Sequence, residues 1–336
     1  MSYHILVTGG AGYIGSHTVL ALLDSGFEVT IIDKKLPNST FLEYINTLPK
    51  KCHYIQINLL DLPTLNNLLS VNQFDGVIHF AADPAFVSQD KMYINRYYCN
   101  NVISSINLIE ACREFGVNNF VFSSTAAMYG NPDTLPIQEN SKLSPINVYG
   151  YTKSIIEKML FDYSEAYDMS SIRLRYFNAC GADVNLRSGE VHEPEVHLIP
   201  NILKSIGTDK VFELFGNDYK TKDGTCMRDY IHVSDLASAH VKALELMLKT
   251  KELMCEVVNL GTGRGYTNQE IFETAEKVVN NSIPVKVGPR RAGDPDELVA
   301  DNTKAKELLG WIPLYSDLNN ILTTAWKWEQ KWKNVN

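Results

Sequence analysis

His4-Ile5-Leu6-Val7-Thr8-Gly9-Gly10-Ala11-Gly12-Tyr13-Ile14-Gly15 joins an apolar run to a glycine-rich turn near the start of the chain. The apolar-leaning run ending at Thr8 reads as a buried parallel strand. Gly9, Gly12 and Gly15 then let the backbone turn tightly into a helix whose free amide groups face an anion such as a pyrophosphate. A second strand over 28 to 32 ends at Asp33, about 20 residues beyond the glycines, the distance at which an acid meets adenosine ribose hydroxyls. Lys34 and Lys35 follow, but the Asp33 carboxylate repels a 2′-phosphate, so the pattern favours NAD over NADP. Glycine spacing alone would be weak; strand, turn, helix, second strand and acid in order are much stronger.

Working outward, strand-like runs at 4 to 8, 28 to 33, 53 to 57, 76 to 80, 119 to 123 and 171 to 175 alternate with helical stretches at 13 to 25, 62 to 70, 92 to 115 and 148 to 167. Such alternation predicts an α/β fold with a doubly wound parallel sheet of the Rossmann kind. Ligands of these sheets sit beyond the C-terminal strand ends, here Thr8, Asp33, Asn58, Phe80, Ser123 and Arg175. After Asn178, glycine, proline and charged loops interrupt shorter elements, with amphipathic helices near 234 to 248, 267 to 280 and 317 to 332. The expectation is a dinucleotide-binding domain over 1–178 and a smaller C-terminal α/β substrate-binding domain over 179–336, with segments packing back on the first.

At 336 residues, 45% of them hydrophobic, the chain can bury a large core. A net charge of −8 leaves no basic stripe for nucleic acid. No apolar run approaches the roughly 20 residues of a membrane span, and the first ten residues lack a signal-peptide layout. A cytoplasmic protein is expected, with no membrane partner. The six cysteines (Cys52, Cys99, Cys112, Cys180, Cys226 and Cys255) are scattered without zinc spacing and read as reduced thiols, so no metal is expected. His79, at a strand end, reads as a hydrogen-bonded structural group. Trp326, Trp328 and Trp332 read as aromatics that pack a terminal helix down.

Tyr149-Gly150-Tyr151-Thr152-Lys153 carries the chemistry. A free tyrosine has a pKa of about 10, so about one in a thousand is phenolate at neutral pH. Lys153, four residues on along one helix, shares a face with Tyr149, and its ammonium together with a positive nicotinamide ring favours the phenolate. Val121-Phe122-Ser123-Ser124-Thr125 ends the fifth strand, and the Thr125 hydroxyl is placed to hydrogen-bond the oxygen that Tyr149 deprotonates. In an arbitrary protein, Tyr-x-x-x-Lys is a surface pair; the nucleotide fingerprint and the strand end overturn that reading here.

The fingerprint, Ser123-Ser124-Thr125-Ala126-Ala127-Met128-Tyr129-Gly130 and Tyr-x-x-x-Lys resemble the extended short-chain dehydrogenase/reductases. Arg175-Tyr176-Phe177-Asn178, Phe215-Gly216-Asn217-Asp218-Tyr219, Arg228-Asp229-Tyr230-Ile231-His232 and Pro289-Arg290-Arg291-Ala292-Gly293-Asp294 are similar, in order and spacing, to the UDP-glucose 4-epimerases among them. The resemblance implies a tightly held NAD that is reduced and reoxidised within each turnover, and interconversion of UDP-glucose and UDP-galactose through a transient 4-keto sugar. It implies cofactor contacts at Gly9, Gly12, Tyr13, Ile14, Gly15, Asp33, Asn38 and Asn58. Leu59, Phe80, Ala81, Ala82, Asn100, Tyr149, Lys153 and Phe177 complete the cofactor set. Substrate would meet Thr125, Asn178, His197, Leu198, Phe215, Gly216 and Asp294, with Arg228 and Arg291 on the diphosphate. It also implies a homodimer through the helices over 92 to 115 and 148 to 167.

Departures from the family pattern sharpen these expectations. Thr125 replaces the serine of many members but keeps the hydroxyl, and Asn58 replaces an aspartate but keeps an acceptor oxygen. Pro84 replaces a lysine that reaches the cofactor, which predicts weaker retention of NAD or another cation in its place. Leu298 stands at the gate beside the sugar 2-position, between the tyrosine that excludes N-acetyl sugars and the small residue that admits them, so N-acetylhexosamines stay open. Nucleotide-sugar dehydratases place Asp-Glu after the strand-five hydroxyl; Ala126-Ala127 can move no proton, which argues against that reading. A non-catalytic NAD-sensing protein on the same fold is the alternative of another class, and the intact Thr125, Tyr149 and Lys153 argue against it.

Overall fold

The structure is a computed structural model, described here for residues 2–83, 94–208, 211–250, 252–290 and 294–335. Its first half runs β1 (His4–Thr8), α1 (Tyr13–Asp24), β2 (Glu28–Asp33), α2 (Ser39–Asn46), β3 (Cys52–Gln56), α3 (Leu62–Val71), β4 (Gly76–His79), α4 (Ile94–Tyr97), α5 (Ser104–Glu114), β5 (Asn119–Thr125), α6 (Val148–Tyr167) and β6 (Ser170–Tyr176). The second half runs β7 (Asn178–Cys180), α7 (Leu198–Ser205), β8 (Phe212–Phe215), β9 (Met227–His232), α8 (Val233–Lys249), β10 (Cys255–Leu260), β11 (Gly265–Thr267), α9 (Asn268–Val279), β12 (Val285–Gly288), β13 (Glu297–Leu298), α10 (Thr303–Leu309) and α11 (Leu318–Val335).

A seven-stranded sheet in the order β10-β6-β5-β4-β1-β2-β3 forms the centre, and its pairings are parallel. Ile5, Leu6 and Val7 on β1 are fully buried because helices cover both faces of the strand. One layer, with Val19, Leu22, Leu236 and Leu244, packs α1 and α8 together; the other holds Leu65, Leu108, Ile109, Ile156 and Leu160. The chain order reverses between β1 and β4, and that switch point is where doubly wound sheets bind ligands. β10 and α8 both follow residue 178 in sequence, yet they complete this sheet and its helical layer.

The remaining strands form a mixed sheet of β11, β9, β13 and β7, and a parallel pair of β12 with β8. Ile199, Ile202, Tyr230, Ile271, Phe272 and Ile321 form their core. Among the described residues, no helix is long and apolar enough to cross a membrane.

The helix expected over 92 to 115 is interrupted: α4 passes through a π-turn, Tyr98–Ile103, before α5 begins. Asn100 and Asn101 in that turn both serve Asp83. Asn100 Nδ2 donates to its carboxylate at 2.7 Å, and the Asp83 amide donates to Asn101 Oδ1 at 2.7 Å. Tertiary hydrogen bonds override the helical register there. His79 is structural, as expected: it bridges Thr8 Oγ1 (2.6 Å) and Ser105 Oγ (2.8 Å) in full burial. Trp328 is 2% exposed and stacks on Trp332, while Trp326 packs against the second core.

Candidate active site

The glycine turn is built from steric necessity. Gly9 has φ +70°, and a Cβ there would sit 2.5 Å from the Ala81 amide nitrogen; one on Gly15 would sit 2.2 Å from Gly9 O. These contacts bring β1, α1 and the end of β4 together at the switch point, with Phe80 N donating to Thr8 O at 2.9 Å. Gly12 is the exposed N-cap of α1 and offers no side chain to its first amides, so Tyr13, Ile14 and Gly15 begin the helix with donors left for a ligand. Asp33, at the end of β2, accepts from the Ala11 amide at 3.2 Å and the Lys35 amide at 3.0 Å, tying the acid to the glycine turn. Burial raises its pKa above the usual carboxylate value, with those amides opposing the shift.

The other expected cofactor residues have varied duties. Asn38 caps α2 through Phe41 N (2.9 Å) and reaches Ser188 Oγ (3.4 Å). Asn58 is exposed and accepts from Leu60 N, whereas Leu59 is buried. Ala81 and Ala82 are partly buried beyond β4, and Phe80 lies against His240, ring centroids 4.7 Å apart. Lys34 (3.3 Å) and Arg96 (2.6 Å) ion-pair with Asp83, placing two cations just before Pro84. Pro84 itself lies outside the described residues, as does Arg291.

Thr125, Tyr149 and Lys153 come together. β5 runs two residues beyond its expected end, which puts Thr125 at its tip, 8% exposed, with its Oγ1 accepting from Ala127 N at 3.1 Å. α6 starts under an Asn147 cap, so Tyr149 stands in its first turn and Lys153 one turn later. Tyr149 is hydrogen-bonded to Thr125. Lys153 is 2% exposed, donates to Ser123 O at 2.8 Å, and its Nζ lies 4.7 Å from the Phe122 ring centroid and 5.8 Å from that of Tyr149.

Without the cofactor, burial raises the Tyr149 phenol to about 12, only partly opposed by the Thr125 hydrogen bond, so the positive nicotinamide ring expected beside it carries part of the task of favouring the phenolate. Burial likewise pushes Lys153 down to about 7, against the attraction of Glu157. Each group is penalised for being charged in a dry site.

Beneath the trio lies a buried network that motif reading missed. Arg175 on β6 holds Glu157 through Nη2 at 2.6 Å, with both side chains almost fully buried. Ser124 Oγ also donates to Glu157. Arg175 Nη1 donates to Tyr129 at 2.9 Å, and Tyr129 donates to Asn259 Oδ1 at 2.7 Å. The network fixes α6 against β5, β6 and β10. Glu157 lies four residues after Lys153, a spacing that could have exposed it.

The expected substrate residues gather at a second corner. Arg228 on β9 bonds Asp294 Oδ1 at 2.6 Å, Pro295 O at 2.9 Å and Met227 O at 2.7 Å. Tyr219 donates to the other Asp294 oxygen at 3.1 Å and stacks under Arg290, 3.9 Å from its ring centroid. Phe215 ends β8, and Gly216 follows with φ +80°, its amide donating to Gly288 O at 3.0 Å. Leu298 is the register partner of Arg228, and with Phe177 it packs on Ala126, Tyr129 and Ile137, which links this corner to the catalytic one. Asn178 pairs with Tyr230 between β7 and β9. His197 stands at the N-cap position of α7 without capping it through its side chain, and Leu198 begins the helix; His197 is engaged by Glu190 at 2.6 Å. Burial disfavours its charge, but hydrogen bonds to Glu190 and Glu195 raise its pKa to about 10.

A family model described as "NAD dependent epimerase/dehydratase family" matches residues 5–261. The chain belongs to this family. A UDP-glucose 4-epimerase of Lactobacillus helveticus is 45% identical over 97% of both chains. A crystal structure of UDP-glucose 4-epimerase from Brucella ovis, in complex with NAD, superposes with a TM-score of 0.89 at 42% identity, covering 97% of this chain and 98% of that one. The structure of the UDP-Glc/GlcNAc 4-epimerase of Campylobacter jejuni gives 0.84 at 38% identity, covering 98% of this chain and 100% of that one. These likenesses span the glycine turn, the Thr125–Tyr149–Lys153 trio and the Arg228 corner alike.

Proposed function

We propose that this family member inverts C4 of a UDP-linked hexose, interconverting UDP-glucose and UDP-galactose with an NAD that it keeps through the cycle. The observation that carries the proposal is the buried Thr125–Tyr149–Lys153 trio at the tip of β5, close to a glycine turn with uncapped amides, and followed by Ala126-Ala127 rather than acids. The near-full-length UDP-glucose 4-epimerase relatives support the same substrate pair.

The residues fit a dinucleotide: glycines where a Cβ would collide, free amides at α1, and Asp33 poised at the end of β2. NAD supplies a hydride acceptor and donor for C4 and a positive charge beside the phenol. Tyr149 takes the proton of the 4-hydroxyl and returns it after the ketone has turned over. Thr125 shares the same oxygen and orients it. Lys153, held on Ser123 O, favours the phenolate whenever it is charged. Arg228 and Arg291 would grip the diphosphate, Asn178 and Asp294 the hydroxyls, and Phe215, Gly216, His197 and Leu198 the uridine side. In this reading residues 179–336 supply the substrate lobe, apart from β10 and α8, which pack back on the nucleotide-binding sheet.

A second reading, in which N-acetylhexosamines are also epimerised, is favoured by Leu298, half-buried beside Arg228 and smaller than tyrosine. We also propose a homodimer. Exposed Ile103 and Ile106 on one helical stretch and Tyr151 and Phe161 on α6 supply the apolar surface, and sedimentation at micromolar concentration checks it. A cytosolic setting suits the six free cysteines.

The test is to incubate extensively dialysed protein with UDP-galactose, without added NAD, and to resolve the hexoses by proton NMR. Conversion toward an equilibrium mixture supports the proposal. No conversion even with NAD⁺ added overturns it, and activity only after that addition points to Pro84.

A further inference from the structure

The loop that leads into α7 reads Gly189-Glu190-Val191-His192-Glu193-Pro194-Glu195-Val196-His197, and it folds its two histidines and two of its glutamates onto one point. His197 Nδ1 lies 2.6 Å and His192 Nδ1 lies 3.0 Å from the same oxygen, Glu190 Oε1; Glu195 Oε1 is 3.4 Å from His197 Nδ1. One donor atom from each of the four residues falls within 4.8 Å of every other. A tetrahedral zinc ion with bonds of about 2.0–2.2 Å needs its donors about 3.4 Å apart, so small side-chain adjustments complete the set.

We propose that Glu190, His192, Glu195 and His197 form a structural binding site for a divalent first-row transition metal, with zinc as the best match. The inference goes beyond the proposed reaction, and it gives the metal the His197 side chain, leaving that residue's backbone and Leu198 for the uridine side. Two imidazoles with two carboxylates suit zinc and its neighbours, whereas magnesium and calcium favour all-oxygen shells.

Charge balance points the same way. The Glu190 and Glu195 side chains are only 7% and 6% exposed, and a divalent ion would supply there the counter-charge that the His197 ring and Lys204 otherwise provide. Lys204 pairs with Glu195 at 3.2 Å, but among the described residues the ion pairs of Glu190 are with the two histidines. A divalent ion would neutralise both carboxylates and leave the imidazoles neutral, the form in which they ligate.

The outer partners are those of a held metal site. Val196 N and His197 N donate to Glu195 Oε1 at 2.9 and 3.0 Å, while Lys204 holds the other oxygen. The His192 ring stands edge-on to Tyr13 at the start of α1, 6.4 Å between centroids. Trp328 Nε1 donates to Glu190 O at 3.1 Å, and a Cβ on Gly189 would strike the Trp328 ring at 2.3 Å, so the loop is clamped against α11. The side chain of His197, 46% exposed, leaves an entry path. An ion here would fasten the start of α7 to the nucleotide-binding helix and to the terminal helix at once.

The experiment uses the full chain, stripped with chelator and dialysed, and titrated with Zn²⁺ alone by calorimetry and thermal unfolding. The expected result is one ion per chain with a Kd below about 1 μM and a raised Tm. His192→Gln and, separately, Glu195→Gln should each weaken binding about 100-fold or more, since even outer-shell changes cost 10–100-fold. Co²⁺ in place of zinc should give the visible bands of a four-coordinate nitrogen and oxygen site. Binding weaker than about 100 μM overturns the proposal. So does binding unchanged in both variants, or a cobalt spectrum with thiolate charge-transfer bands, which would place the ion on the cysteines.

Discussion

The catalytic end of α6 and the Arg228 corner differ in what their polar groups already hold. Tyr149 is hydrogen-bonded to Thr125 and Lys153 to the backbone of β5, on a platform of buried pairs from Ser124 to Asn259. Arg228 instead spends its donors on Asp294, Pro295 and Met227, and Asp294 is shared with Tyr219. In the proposed reaction the first region is already placed around the reacting oxygen, whereas the second would have to exchange internal partners for a diphosphate before it could grip one. The contrast suits an enzyme that must hold the reacting oxygen in a fixed geometry yet let a hexose turn over: chemistry is preorganised, and recognition is tempered by the contacts it gives up.

The largest effect should come from the preorganised side. Tyr149→Phe removes the proton acceptor and keeps the ring, so kcat should fall about 10³-fold while affinity for UDP stays within a few-fold, checked by steady-state rates beside UDP calorimetry. If kcat survives, the trio is not the catalytic centre and the comparison breaks.

On the recognition side, Arg228→Lys keeps charge but loses the fork. The expected outcome is a rise of about 10-fold in KM with kcat within about 2-fold, read from initial rates. A kcat loss without a KM change would mean that Arg228 positions the reacting sugar rather than the diphosphate.

Acid should weaken both halves of the fold through their buried histidines. Burial holds His17 and His240 at about 4, and His79 and His232 at about 3. In the unfolded chain these imidazoles titrate at about 6.5. Below that pH the unfolded state binds more protons, so stability is present above about pH 6.5 and falls as the pH drops toward 4. Urea midpoints at pH 7 and pH 5 check the slope. Equal midpoints would mean that the four rings are not held neutral.

The smallest change concerns choice of sugar. Leu298→Tyr should leave UDP-galactose turnover within a few-fold and depress that of UDP-N-acetylgalactosamine by about 10-fold or more, in parallel assays of both substrates. Unchanged discrimination would remove Leu298 from the gate.

The same contrast explains what the sequence revealed. β1, β2, the glycine turn and the Tyr149–Lys153 spacing are local patterns, and each was legible with its ends nearly in place. The π-turn at Tyr98–Ile103 was not, because Asp83 dictates it across the fold. Nor was β10, whose pairing with β6 spans a long stretch of chain. The Glu157–Arg175 pair exists only once α6 lies over β6, and the four donors around Glu190 converge only when their loop closes. The raised phenol of Tyr149 could not be read from spacing either, since spacing carries no information about burial.

The most direct test of the account is to supply UDP-galactose deuterated at C4 and follow the label in the UDP-glucose formed. Hydrogen that leaves and returns within one closed site predicts deuterium retained at C4 in the product, with none exchanged from solvent. Loss of the label to water would mean that C4 is inverted by proton abstraction from carbon, which contradicts the assignment of Tyr149 to the hydroxyl and of NAD to the hydride.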